Sequence, residues 1–226
     1  MNVCKNCTNQ IEHKFCGYCG QSLSMNNRIK LKEFLIEIFH SIFHTGNGLF
    51  NTLKTLIIKP EKVTEGYIDG QRKNYFSPVK LILISGIIYA IVSLYVNKNI
   101  KDTESEAINY SIEHYKYLVI FGPVILATLL NWLIYKKKNF NIGEHFIVSI
   151  YIQSIMYLFS SIFMLINNIL DLKLIVISIF FSLLYYIYAM IRIYKKNNPL
   201  IGIVLNLVIY IMINLLFLLP FVLTRK

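Results

Sequence analysis

Cys4, Cys7, Cys16 and Cys19 are the only cysteines in the chain, and they stand as two CxxC pairs separated by eight residues. Two such turns offer four thiolates from two tight knuckles, and the short spacer lets the knuckles close on one tetrahedral ion. The spacing predicts a structural Zn²⁺ site of the zinc-ribbon kind. Gly17 and Gly20 surround the second pair and let backbone amides turn toward sulfur. With sulfur in all four coordination positions no slot remains for a substrate or an activated water, so a catalytic metal is not expected. The alternatives are two disulfides or a redox dithiol. The first needs an oxidising compartment and the second usually a thioredoxin-like fold, and the residues around these cysteines point to neither.

A second group with chemical potential follows Lys59. Tyr67, Gly70, Arg72, Lys73 and Tyr75, with Phe76 beside them, make a basic and aromatic collar just before a long apolar run. Cations there attract anionic lipid headgroups, at roughly 1 kcal/mol per basic residue near an anionic surface, and aromatic rings settle at the boundary. The same residues also fit a plain topology anchor, and Gly70 fits either a close approach to a ligand or the end of a helix. Glu144 and His145 form an ionisable pair at the mouth of a later apolar run, placed to meet Arg72, to bind a ligand, or to act as a helix N-terminal carboxylate. Glu33, Glu37, His40 and His44 share one helical stripe and could hold a metal, although a single stripe without ligands from other helices also reads as a solvated face.

The stretch KPEKVTEGYIDGQRKNYFSPVKLILISG, taken with the CxxC head, resembles the bacterial family catalogued as domain of unknown function 3667. The features that carry the resemblance are Thr52 and Leu53 ahead of Pro60, the pattern Tyr67, Gly70, Arg72, then Tyr75 and Pro78, and the Glu144-His145 pair. Gln71 departs from the pattern, where a basic residue is common. The resemblance implies an architecture and brings no reaction with it.

The elements that must position these groups are apolar. Of 226 residues 55% are hydrophobic and only 15% charged, outside the usual range for soluble domains, which predicts an all-α membrane protein. Residues 1–22 form the ribbon and 28–78 an amphipathic, juxtamembrane helical region. The latter holds one helix over Leu31 to Phe43 and a second over Leu49 to Ile58, expected to pair as a hairpin at the interface. Residues 79–226 hold five apolar runs, 79–96, 117–135, 146–166, 174–191 and 200–223, each near the ~20 residues that a span requires. Pro78 and Pro199 open the first and last, and Gly122-Pro123 should kink the second. No internal repeat is evident.

Orientation follows the short loops. Arg72, Lys73 and Lys80, then Lys136 to Lys138, then Arg192, Lys195 and Lys196 belong on the cytosolic side, and the acidic loop from Asn97 to Lys116 on the other. An odd number of spans leaves Thr224-Arg225-Lys226 outside, against the charge rule, unless the last run is re-entrant. With no apolar export segment ahead of it, the ribbon is expected in the cytosol of a bacterium, over its inner membrane. The net charge of +11 is spread among the ends of apolar runs, so nucleic acid is not an expected partner.

The spans carry Asn131, Gln153, Asn206 and Asn214 but no central Asp, Glu, Lys or Arg, which speaks against ion-coupled transport and for interhelical hydrogen bonding. The expected role is non-enzymatic: a scaffold or adaptor on a five-span base, with a cytosolic protein partner at the ribbon and a homo-oligomer also permitted. A transporter or channel for a small or lipid-like solute is the first alternative. A lipid-modifying enzyme using Glu144, His145 and Arg72 at the headgroup level is the other.

Overall fold

The structure, a computed structural model, describes residues 2–11, 13–23, 48–98, 121–135, 140–170, 175–194 and 203–212. The helix expected over Leu31 to Phe43, with Glu33, Glu37, His40 and His44, lies outside the described residues. So do the loop residues Lys136 to Lys138, Lys195 and Lys196, and most of the loop from Asn97 to Lys116.

The ribbon is built from two copies of one small hairpin. β1 (Asn2–Val3) pairs antiparallel with β2 (Gln10–Ile11) in the register Asn2↔Ile11 and Val3↔Gln10. The second copy bridges Phe15 to Ser22, and the Leu23 amide donates to the Lys14 carbonyl at 2.9 Å. Each copy closes its knuckle alike: Thr8 N–H reaches Cys4 O and Gly20 N–H reaches Cys16 O, both at 2.8 Å. Cys4 N–H reaches Asn9 O and Cys16 N–H reaches Gln21 O, also at 2.8 Å. The expectation that the chain has no internal repeat is therefore corrected within the ribbon. Little beyond the cysteine spacing survives in both copies, which hides the duplication from a reading by residue identity. Ile11 and Leu23 occupy equivalent places and, among the described residues, are the apolar partners of the sulfurs in this small core.

α1 (Leu49–Ile58) runs where its sequence signals put it, between Gly48 and Pro60. Pro60 does more than end it. A missing amide costs nothing at the first helical position, and Pro60 opens α2 (Pro60–Ile68). The hairpin partner of α1 among the described residues is thus α2, a helix the sequence reading did not separate. α2 closes in a Schellman turn: Gln71 N–H bonds Gly66 O at 2.9 Å and Gly70 N–H bonds Tyr67 O at 3.3 Å. Gly70 takes a φ of +103°, open at low cost only to glycine.

The long helices follow: α3 (Pro78–Lys98), α4 (Phe121–Ile134), α5 (Ile142–Leu170), α6 (Ile175–Tyr194) and α7 (Ile203–Met212). Three contain stretches long and apolar enough to cross a membrane, Pro78–Val96, Ile142–Leu170 and Ile177–Tyr194. The runs expected over 117–135 and 200–223 appear as the shorter helices α4 and α7, with Tyr135 just past the end of α4 and residues 117–120, 200–202 and 213–223 outside the described residues. α5 starts earlier than the apolar run at 146 suggested. Asn141 and Glu144 cap it reciprocally, Asn141 N–H to Glu144 Oε2 at 2.8 Å and Glu144 N–H to Asn141 Oδ1 at 2.9 Å, which draws Glu144 and His145 into its first turn.

One core joins these parts. α3 packs chiefly on α5 and α5 on α6, while Leu56, Val63 and Tyr67 of the hairpin enter the same cluster as Leu81, Ile147 and Tyr151. Tyr185 and Tyr188 of α6 donate to the Leu56 and Ile58 carbonyls at the end of α1, which a helix terminus leaves without intrahelical donors. Arg192 of α6 grips Glu61 of α2 with both Nε, at 3.1 Å, and Nη2. The opposite face of α3 presents Leu83, Ile87, Ile91 and Tyr95 outward at helical spacing, as a lipid-facing stripe would.

Candidate metal centre

The four sulfurs of Cys4, Cys7, Cys16 and Cys19 all lie within 4.8 Å of one another, with Cys4 and Cys19 3.6 Å apart and Cys7 and Cys16 3.5 Å apart. A tetrahedron with metal–sulfur bonds near 2.3 Å has edges of about 3.8 Å, so this cluster has the dimensions of a four-thiolate site. No disulfide joins the four. The cluster also fills the place of a core, since Cys4 and Cys16 are the buried centre of the ribbon.

Their protonation is uneven. The backbone amides of Cys19 and Tyr18 point at the Cys16 sulfur and lower its thiol to about 6. At Cys7 the Asn9 amide pulls the same way, but burial and the sulfurs of Cys16, Cys19 and Cys4 outweigh it and raise that thiol to about 12. A thiolate at Cys16 beside a protonated Cys7 is the arrangement expected of crowded sulfurs sharing negative charge, which a divalent cation would relieve.

The second knuckle has a seat. The Gln21 side-chain amide donates to the Gly70 carbonyl at 2.6 Å, and Gln21 is fully buried. Gly20 has a φ of +66°, and a methyl group there would stand 2.9 Å from Lys73 Nζ. The ribbon thus rests on the turn between α2 and α3. That turn is itself braced: Phe76 N–H bonds Thr52 Oγ1 at 2.9 Å, the Phe76 carbonyl accepts from Tyr151 Oη at 2.7 Å, and the Tyr75 ring lies on Gly66. Burial pushes the Tyr75 hydroxyl up from its ordinary range.

The residues singled out from sequence therefore fall into two places. Gly70 and Lys73 meet the ribbon. Tyr67 packs edge-on against Tyr151 at 5.8 Å, with the Arg72 guanidinium 6.0 Å from its ring centre. Glu144 belongs to the cap of α5, and His145 Nδ1 lies 2.7 Å from Tyr194 Oη in a stack with that ring, edged by Phe140. Sequence reading missed Gln21, whose counterpart Asn9 in the first hairpin is exposed. It also missed Asn141, which an Asn-x-x-Glu cap search would have found.

Residues 47–90 match the family described as protein of unknown function (DUF3667), which bears out the resemblance read from the juxtamembrane block. The match spans α1, α2, the turn under the ribbon and much of α3. No curated protein and no solved structure matches the chain.

Proposed function

We propose that this chain is a non-enzymatic, multi-pass protein of the bacterial inner membrane whose ribbon binds one structural Zn²⁺ and serves as a scaffold on the cytosolic side. The observation that carries this reading is the four-sulfur cluster held by the Gln21–Gly70 contact on the family-matched segment. A head of this size has almost no apolar core, so a bound ion supplies the organising energy, and a filled sulfur shell leaves it nothing to catalyse. Val3, Phe15 and Tyr18 are exposed on the ribbon and give it a contact surface for a cytosolic protein partner. Exposed Lys54, Lys59, Lys62 and Lys73 place positive charge on the hairpin and its turn, in keeping with anionic headgroups nearby. Capping by Glu144 and the stacking of His145 favour structural duties for that pair over acid–base chemistry. The base is proposed to have five spans, α4 and α7 being the described parts of the second and fifth.

Metal analysis of the full chain purified in mild detergent tests the reading, with one zinc per chain expected and loss of that zinc on Cys16→Ser with Cys19→Ser. Absence of metal in protein purified under reducing conditions, or protease access to the ribbon only from the periplasmic side, would overturn it.

A further inference from the structure

A half-open cavity of about 130 Å³ lies between the helices, bounded on its polar side by Tyr89 of α3, Gln153, Tyr157 and Ser160 of α5, and Ser178 and Ser182 of α6, and elsewhere by Pro123, Met156 and Ile179. Elsewhere in these helices hydroxyls turn back onto their own helix: Thr128 to the Val124 carbonyl at 2.7 Å, Ser154 to Ile150 at 2.7 Å, Ser161 to Tyr157 at 2.8 Å. Around the cavity hydroxyl and amide side chains of four helices line one shared space, the Tyr157 hydroxyl and the Gln153 amide being hydrogen-bonded to each other. Gln153, Tyr157 and Ser160 recur at helical spacing on one face of α5, as Ser178 and Ser182 do on α6. The walls are formed in advance. Tyr89 and Tyr157 stack with ring centres 5.2 Å apart, and on the far side Tyr210 Oη donates to the Ile179 carbonyl at 3.3 Å.

The lining selects the ligand. It combines hydroxyls and an amide, which both donate and accept, with apolar surface from Pro123, Met156, Ile179 and the tyrosine rings, and among the described residues that bound the cavity none is charged. An ion at this depth would meet no countercharge, so the site excludes one. A cavity of about 150 Å³ takes a molecule the size of benzene, which sets the scale here. We infer that this cavity is a binding site for an uncharged hydroxyl-bearing group of about glycerol size, supplied either as a free small polyol or as the head of a neutral lipid such as diacylglycerol.

The test uses the full chain in phosphatidylcholine nanodiscs and a diazirine-bearing dioctanoylglycerol as probe, with the labelled peptides mapped by mass spectrometry. Saturable labelling of the peptides holding Gln153 to Ser160 or Ser178 to Ser182 is expected. Gln153→Leu with Ser182→Val should weaken it about tenfold through loss of two hydrogen-bonding groups, while Ser154→Ala leaves it unchanged. Competition by free glycerol assigns the site to polyols, and competition by unlabelled dioctanoylglycerol alone assigns it to the lipid head. Competition by neither, or equal labelling of parent and double variant, means a water-filled cavity or general lipid contact and overturns the assignment. If the double variant fails to insert, Tyr157→Phe keeps the ring and should lower probe affinity severalfold. Unchanged affinity there overturns the assignment equally.

Discussion

The side-chain amide of Gln21 and the carbonyl of Gly70, 49 residues apart in sequence, meet in a buried hydrogen bond of 2.6 Å. It joins the cysteine head to the helix-ending turn of the juxtamembrane hairpin. Replacing Gln21 by Leu leaves that buried carbonyl without this donor, at a cost of about 1–3 kcal/mol. On the proposed reading the cysteine head should then come away from its seat while still binding a metal ion at its four sulfurs. Hydrogen exchange should quicken at Gly70 to Asn74, with metal content unchanged; loss of metal in this variant would show instead that the seat is needed to form the site.

Three glycines should respond differently to alanine. Gly17 has nothing within 4 Å of an added methyl, so Gly17→Ala should shift stability by no more than a few tenths of a kcal/mol. At Gly66 the methyl would meet the Tyr75 ring at 2.7 Å, and Gly66→Ala should cost about 1–3 kcal/mol by overpacking. Gly20→Ala meets only the mobile end of Lys73, but its φ of +66° adds about 1–2 kcal/mol of backbone strain. Thermal unfolding in detergent, with metal content followed alongside, separates the three.

Metal retention should fall with acid. The Cys16 thiol is depressed from 9.0 to about 6, so the stabilisation its thiolate gives is complete above the ordinary thiol range and is lost as pH falls through about 6. Cys7, raised to about 12, is protonated at neutral pH and must release its proton when a metal binds. Competition with a chromogenic chelator from pH 8 to pH 5 should show steep release near the lower end, and metal uptake in weak buffer should acidify the solution.

The clasp between α6 and the hairpin should be unequal in its parts. Tyr185→Phe removes a buried hydroxyl from the Leu56 carbonyl and should cost about 1 kcal/mol. Glu61→Gln weakens a pair whose arginine is well exposed, and should cost less than Tyr185→Phe, diminishing further in high salt. Unfolding midpoints at two salt concentrations distinguish them.

Asn141→Ala should cost about 1 kcal/mol through loss of the helix cap, and Glu144→Gln, which preserves an acceptor for the Asn141 amide, should cost less. If Glu144→Gln instead leaves stability intact but abolishes a measurable turnover of lipid, the capping role is not the whole of its duty.

What the sequence determined by itself was whatever depends on near neighbours. The cysteine spacing specified a four-sulfur cluster because a CxxC turn is closed by its own backbone. The bounds of α1 were legible because Gly48 and Pro60 act within one helical turn, and Pro78 marked the start of α3 for the same reason. The apolar runs read as helices, yet the start of α5 was displaced because the cap at Asn141 and Glu144 is polar and invisible to a hydrophobicity scan. Tertiary structure alone decided that Gly70 and Lys73 face the ribbon, that Tyr185 and Tyr188 close the end of α1, and that Gln21 is buried while its counterpart Asn9 is exposed. Each of these contacts joins segments far apart in the chain. Periodicity records which face of an element is apolar, whereas only packing in three dimensions selects the partner that covers it.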